Sequence, residues 1–566
     1  MKENKRLLCI SLFALGLNFC FAQQRTIERI HLTTDRSLYV AGETIRLSLY
    51  CFDMTTREIR LSNLSSVAYV ELRNDASLVA DAKLAIVGGR GGGKIAIPPS
   101  LPTGNYRLIA YTKQMLNEED WRYFDKILPI CNTLSPYRNP EKVLVTDLDP
   151  FDALIPLLSI ESGGVYLQWT IDPKRVPQNR AVTLSLINSN DKAVTFSISI
   201  ARVDFPEPDA YSLQEFLARP AFDPTKIKFT NRYIPEYEGE IISGRMHSAP
   251  AALLKDQSVF LSAIGSGIDF YASSVDVVTG TFSFFTHALY GNREIMLGCP
   301  NTDEVSFELL NPFVAPPVAP VPAFHLKKEY EHFLTERSVE MQVARRFGLD
   351  TLYEQTVVPN NPFPFYHKPT VYQLDNYTRF PTMQDITVEF IPEMRFRKIN
   401  NRTWLQILTE SYAGWNFSEQ NSLVLVDGII IFDHDRLLQY DPLKVKTISI
   451  YKTSYNLGGQ IFDGIATFNT YQGNYPDLSL GKNALILDFE GMQYPCIFTG
   501  DPMGRDENRP DNRSLLYWDP QVDLMPGASR ELTIKTSFIP GKYAVILEGI
   551  DSDSRPVYHR SEFWVE

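Results

Sequence analysis

The sequence predicts a mainly β protein, a series of β-sandwiches with one α/β domain between the last two. Three observations predict it. Short segments rich in β-branched and aromatic residues recur along the chain, several alternating apolar with polar residues, as in VTLSLIN at 182–188 and TFSISIA at 195–201. The 37 Pro, 31 Gly, 34 Phe and 28 Tyr suit many turns and short strands better than a helical bundle. Between about 366 and 476 the pattern changes to strands separated by helix-like stretches.

At roughly 150 residues per domain, 566 residues make about four domains. The net charge is −12, with 55 basic and 67 acidic residues. Such an acidic balance argues against nucleic acid, which needs clustered positive charge, and against adsorption to an anionic membrane surface.

The first residues read as an address. Lys2, Lys5 and Arg6 precede a 16-residue apolar run, Leu7 to Ala22, which predicts a secretory signal peptide (1–22) cut after Ala22. The run is short for a membrane span, and Asn18 interrupts it. A lipid anchor would use Cys20, but Phe19 before it is bulky for that signal. The expected chain is exported, periplasmic or outer-membrane associated, with no transmembrane segment of its own.

Each later element has its own signal. From 26 to 133, RIHLTTD, TIRLSLYCF, VAYVEL, KIAIPP and YRLIAYT predict one sandwich. Its GGRGGGK, ending at Lys94, lacks the Ser or Thr and the following helix of a phosphate loop and predicts a glycine-rich β-turn. A second sandwich is expected over 157–232, with SLQEFLA (212–218) as a short helix in an insertion. A third is expected over 233–310, from EIISGRM to REIMLG. The prolines of 311–322 mark a boundary, and FHLKKEYEHFLTERSVEMQVARRFG (324–348) predicts a helix closed by Gly348. Thr382 is expected to cap a short helix, and LLQYDPL (437–443) to form a helical turn. A C-terminal sandwich is expected over 482–566.

Three motif sets carry a resemblance. HLTTDRSLYVAGETIRLSLYCFD (31–53), with Asp35, Tyr39, Gly42 and Glu43, and LPTGNYRLIAYT (101–112) resemble the macroglobulin-type sandwich domains of exported bacterial proteins. YIPEYEGEIISGRM (233–246) and GTFSF (280–284) resemble carboxypeptidase-regulatory sandwiches. The stretch 423–471 is similar to the plug domain of TonB-dependent outer-membrane receptors, through Asp427, Gly428, Asp441, Pro442, Gly458 and Gly464. PDNRSLLYWDPQV (510–522) is similar to the tails of large exported Bacteroidota proteins that join such modules. The implied architecture is tandem Ig/macroglobulin-like and regulatory-type sandwiches with a plug-like α/β domain at 366–476. About 95 residues follow Tyr471, too few for the receptor barrel, so the plug-like domain is expected without one. No Gly-Cys-Gly-Glu-Gln run is present, so covalent protease trapping is not expected.

Chemistry is sparse. The eight His are scattered, and no His-Glu-x-x-His or Gly-x-Ser-x-Gly occurs. Asp433-His434-Asp435 is the densest titratable cluster, either a cation or acid/base site or a polar loop that starts a helical turn. Glu329, His332, Glu336 and Glu340 share a helix but interleave with Lys327, Lys328, Arg337 and Arg345, which favours a solvated, ion-paired face over a metal site. Asp427-Gly428 is expected to be an architectural turn. Trp404, Trp415 and Trp518 are core residues, or sugar platforms if exposed. Cys51 and Cys131, in one expected domain, are either a disulfide or two buried thiols. No cofactor, metal or catalytic residue is expected. The leading expectation is a non-enzymatic envelope scaffold docking on an outer-membrane β-barrel or TonB-dependent transport protein. The alternatives are a carbohydrate- or peptide-binding accessory for nutrient uptake, and a hydrolase with a site assembled between domains.

Overall fold

The computed structural model describes residues 26–566 apart from 146–163, 170–174, 204–212, 219–225, 249–256, 358–367, 501–508 and some shorter stretches. The expected signal peptide lies outside the described residues. The chain forms two compact units, Met1–Tyr237 with Pro316–Val358 and Tyr494–Glu566, and Glu238–Ala315 with Pro359–Gln493. Among the described residues no helix is long and apolar enough to cross a membrane.

In the first unit, residues 26–133 form a sandwich. One sheet runs in the order Tyr39–Val40, Phe124–Cys131, Gly104–Tyr111, Val67–Arg73 and Leu78–Ala85. In the other, Thr44–Asp53 is central, flanked by Glu28–Thr34 and by Arg90–Ala96, with Arg60–Leu61 at its end. Thr44–Asp53 alternates, yet nearly all of it is buried. Its polar side is covered by a second sandwich. Ser48 Oγ donates to Pro520 O at 2.8 Å, and Ser199 Oγ donates to Asp35 O at 2.9 Å. Period-two patterning therefore marks the two faces of this strand but not which one meets water.

The glycine run is half of what was expected. Gly88 and Gly89, at φ 58° and 74°, make a turn closed by the Val87–Arg90 pair, whereas Gly91 to Gly93 belong to the strand Arg90–Ala96. A Cβ at Gly92 would lie 2.8 Å from the Cβ of Pro520. Those glycines permit one sandwich to approach the other.

The second sandwich corrects the expected boundaries. Val165–Trp169 and Ala181–Asn188 share a sheet with Ser529–Lys535. Val194–Arg202 lies between Leu515–Leu524 and Gly541–Asp551 in a six-stranded sheet ending at Pro556–Val565. The segments expected to form separate sandwiches at 157–232 and 482–566 thus complete one another. Val194–Arg202 is buried on both faces, so it needs neighbours on both edges, and its own segment supplies neither. Val182, Leu184, Phe196, Ile198, Val545 and Phe563 share the core.

The expected helix at 324–348 is shorter. A strand, Phe324–Leu326, and a 3₁₀ turn, Lys328–Tyr330, precede the helix Glu331–Arg346, and Gly348 takes left-handed φ 62° beyond it. SLQEFLA contributes a helix at Leu213–Ala218.

In the second unit, Thr281–Phe285, Ile241–Ser248 and Val305–Leu309 form one sheet of a sandwich. The other comprises Asp269–Ser274, Ser258–Ala263, Asn292–Gly298 and Ala484–Glu490, the last taken from the segment expected in the C-terminal sandwich. Val259, Leu261, Ile295 and Leu297 fill this core. Phe260, Phe270 and Met296, on the opposite face, join the core of the α/β part. There a five-stranded mixed sheet runs Thr370–Gln373, Val445–Leu457, Gln460–Thr470, Leu423–Val426 and Ile429–Ile430. Met383–Glu389, capped by Thr382 Oγ1 accepting from Asp385 N, and His434–Gln439 are its helices. Pro442–Lys444 is a 3₁₀ turn.

Candidate functional site

The motif at 423–471 converges on one end of the mixed sheet. Leu425 pairs with Ile430 and Val426 with Ile429, leaving Asp427 and Gly428 as a two-residue turn with φ 46° and 85°. Two left-handed residues match the twist of a tight hairpin, which favours Asp-Gly. The Asp427 carboxylate is buried and accepts from Thr470 N at 2.7 Å, Thr470 Oγ1 at 2.5 Å and Tyr475 N at 2.7 Å. A Cβ at Gly428 would lie 2.3 Å from Ala263 O, so the turn presses on the sandwich strand beneath it.

The other motif residues are also framework. Gly464, at φ 87°, leaves room for Ile407, whose Cγ2 would be 2.7 Å from a Cβ there. Asp441 accepts from Leu443 N at 2.9 Å and starts the turn opened by Pro442, whose carbonyl accepts from Arg379 at 2.7 Å. Gly458 lies outside the described residues.

Asp433, His434 and Asp435 cap the adjacent helix. Asp433 accepts from Asp435 N at 3.1 Å, and Asp435 accepts from Thr403 Oγ1. His434 Nδ1 accepts from Leu405 N at 2.8 Å, with its ring edge-on to Trp404 at 5.4 Å. Burial lowers its pKa to about 4, against the opposing pull of Asp433 and Asp435. A neutral imidazole whose Nδ1 accepts a backbone proton is a strand clamp.

The cysteines do not pair. Cys51, Cys131, Cys299 and Cys496 are free thiols. Cys51 and Cys131 lie in different sheets, Cys131 packing with Leu38, Val40 and Tyr330. Burial, then Glu28, pushes the Cys51 thiol well up, and burial pushes Cys131 up to about 12.

The second concentration of charge is in the first unit. Tyr39 donates to Asp35 at 2.7 Å, and the same carboxylate accepts from Arg46 N at 2.8 Å. Glu43 accepts from Val40 N at 2.7 Å, from Arg36 at 3.1 Å, and from Arg337 through both oxygens at 2.9 and 3.0 Å. Burial alone would raise the Glu43 pKa, but Arg337 and Arg36 outweigh it and hold it low. Glu340 is buried as well, 2.7 Å from Arg202. The helix face expected to be solvated therefore includes two buried charges, while His332 and Glu336 stay outside as a 3.2 Å pair. A cleft of about 50 Å³ lined by Arg36, Glu43, Arg46, Glu340, Asp350 and Arg513 has room for a water or two. With Asp35, its four carboxylates face three arginines, so no excess of positive charge is left for an anionic ligand.

Sequence reasoning set Arg337 on a solvated face and gave Arg513 no role. The latter is buried 2.8 Å from Asp511, with its guanidinium 3.4 Å from the Tyr353 ring. Asp511-x-Arg513 was a readable local signal, whereas Arg337 meets Glu43 across 294 residues. Of the tryptophans, Trp518 is buried and Trp415 is half exposed.

The chain is a mainly β protein of several β-sandwiches and one α/β part, as its strand pairing defines them. No protein-family model matches it, and no curated protein matches it. Among solved structures, it aligns with native Escherichia coli α-2-macroglobulin at 9% identity and a TM-score of 0.23, over 96% of this chain and 40% of that one. Methylamine-reacted Salmonella α-2-macroglobulin gives 10% identity and a TM-score of 0.23, over 95% and 39%. The Escherichia coli adhesin FdeC gives 12% and 0.14, over 48% and 60%. The chain spans about two fifths of the α-2-macroglobulins' length, and TM-scores this low carry no argument.

Proposed function

We propose that the chain is a non-enzymatic, exported cell-envelope scaffold whose plug-like α/β part docks on an outer-membrane β-barrel or transport complex. The supporting observation is the use made of the motif residues. Asp427, Gly428, Asp441, Pro442 and Gly464 all serve turns and close packing, and Asp427 ties the hairpin turn to Thr470 and Tyr475. A module built this way offers rigid surfaces and sheet edges to a partner.

The test is purification of the tagged protein from its own outer membrane in mild detergent, with mass spectrometry. A stoichiometric barrel, lost when 366–476 is deleted, is the expected result. Recovery of the protein alone overturns the reading. One observation favours glycan capture as the second reading: the Tyr377 and Phe390 rings stack at 4.4 Å, with Tyr377 partly exposed. Binding to a glycan array, lost in Tyr377→Ala, would then replace the first.

A further inference from the structure

The three-stranded sheet of the second unit has two unlike faces. Its strands are Met394–Ile399, Arg402–Ser411 and Gly414–Phe417, the first two joined by Asn400 and Asn401 at left-handed φ 47° and 64°. Met394, Leu405 and Ile407 point into the core. By alternation, Arg395, Arg397, Arg402, Trp404, Leu408, Trp415 and Phe417 belong to the other face. Arg395, Arg397 and Arg402 are exposed, as are Lys398 near the hairpin tip and Trp415.

The charge on this face is mainly positive, although Glu410, opposite Trp415, shares it. From Glu393 to Glu410 the sequence has four cations and two carboxylates, and three of the cations, Arg395, Arg397 and Arg402, fall on this face. Arg395 is braced: its Nε donates to Gln406 Oε1 at 3.0 Å, and its guanidinium lies 3.9 Å from the Phe417 ring. Lys452, 3.7 Å from Glu393, lies 5.6 Å from the Trp415 ring. Among the described residues, no carboxylate forms an ion pair with Arg395, Arg397, Lys398 or Arg402. Neighbouring like charges on a sheet repel. Elsewhere in this acidic chain, arginines such as Arg29, Arg337 and Arg513 have carboxylate partners. These exposed cations are left open to an anion from outside.

We propose that this face docks on an anionic lipid surface. The guanidinium forks take headgroup phosphates, a geometry suited to paired N–H donors. Trp415 sits at headgroup depth, where its amphipathic ring is favoured, with Phe417 beneath Arg395 beside it. The proposal rests on the envelope reading above and gives that scaffold a second hold, on lipid rather than on a barrel. It also revises the inference from net charge. The average of −12 hid a local cationic strip.

Flotation of the full chain with protein-free vesicles tests this separately from any barrel. Vesicles of phosphatidylcholine mixed equally with phosphatidylglycerol should bind it, and pure phosphatidylcholine should not. Binding should fall as salt rises. Replacing Arg395, Arg397 and Arg402 together by Gln should lower partitioning on the order of a hundredfold, from about fivefold per cation. The same change at exposed Arg60, Arg175 and Arg555 should leave it unaltered. Trp415→Ala should lower it a few fold with the charges intact, and circular dichroism should show each variant folded.

No binding to mixed vesicles at low salt overturns the proposal, as does equal loss in both triple variants. Binding only to native outer-membrane vesicles, abolished by protease treatment, assigns the face to an acidic protein and overturns the lipid proposal. A failed flotation with an intact barrel co-purification leaves the scaffold reading standing. The reverse pair of outcomes removes the barrel and keeps the lipid contact.

Discussion

Asp427 in the second unit is a buried carboxylate and Glu43 in the first a largely buried one, both at a chain turn and held in opposite ways. Asp427 accepts from two backbone N–H groups and a hydroxyl, all neutral, within 48 residues. Glu43 accepts from two arginines, one of them 294 residues away. Neutral donors satisfy a carboxylate without burying a second charge. The ionic arrangement buries both, so its stability depends on every member being present.

The largest expected effect breaks the ionic side. Arg337→Met leaves Glu43 with Arg36 as its one cation beside the Val40 N–H, and should destabilise the first unit by about 4 kcal/mol in urea denaturation. Adding Glu43→Gln should recover part of that loss. An additive double variant would show that the two side chains do not act together. Next is the neutral side. Asp427→Ala strands the Thr470 and Tyr475 N–H groups and should cost about 3 kcal/mol, whereas Asp427→Asn, which retains one oxygen, should cost less.

His434 extends the comparison to pH. Its folded pKa of about 4 lies below the ordinary 6.5, so its contribution is fully present above pH 6.5 and is lost as pH falls toward 4. Between pH 6.5 and 5 the loss should be about 2 kcal/mol, and His434→Gln should flatten that part of the stability profile. The smallest effect concerns the thiols. With Cys51 and Cys131 free and their pKa values raised, reductant should leave the melting temperature unchanged, and alkylation at pH 8 should reach them only on unfolding.

What was legible followed from local chemistry. Asp427-Gly428 announces a tight turn, Thr382 announces a helix cap, and the alternation of 182–188 announces a strand. What was not legible depended on distant partners. Nothing in TFSISIA says that its edges meet strands beyond residue 514, and nothing in the interleaved charges of 327–345 says that Arg337 and Glu340 turn inward. Within the candidate site the turn residues were readable, while the charge network around Glu43 was only half visible, through Asp35 and Tyr39. The cationic face was written plainly, as Arg395 and Arg397 in period two with Arg402 just beyond the hairpin turn, but an average over the chain concealed it.

The pairing of Val194–Arg202 with Leu515–Leu524 and Gly541–Asp551 also sets a timetable. A strand buried on both faces leaves the ribosome roughly half a minute before its neighbours, at ordinary rates of synthesis. Until then its apolar residues and open edges are exposed to other chains. Contacts this distant in sequence form slowly even after synthesis ends. Until residue 515 and beyond are made, the core of the first unit stays open, and a chain stopped short of residue 515 should aggregate rather than yield a smaller stable protein.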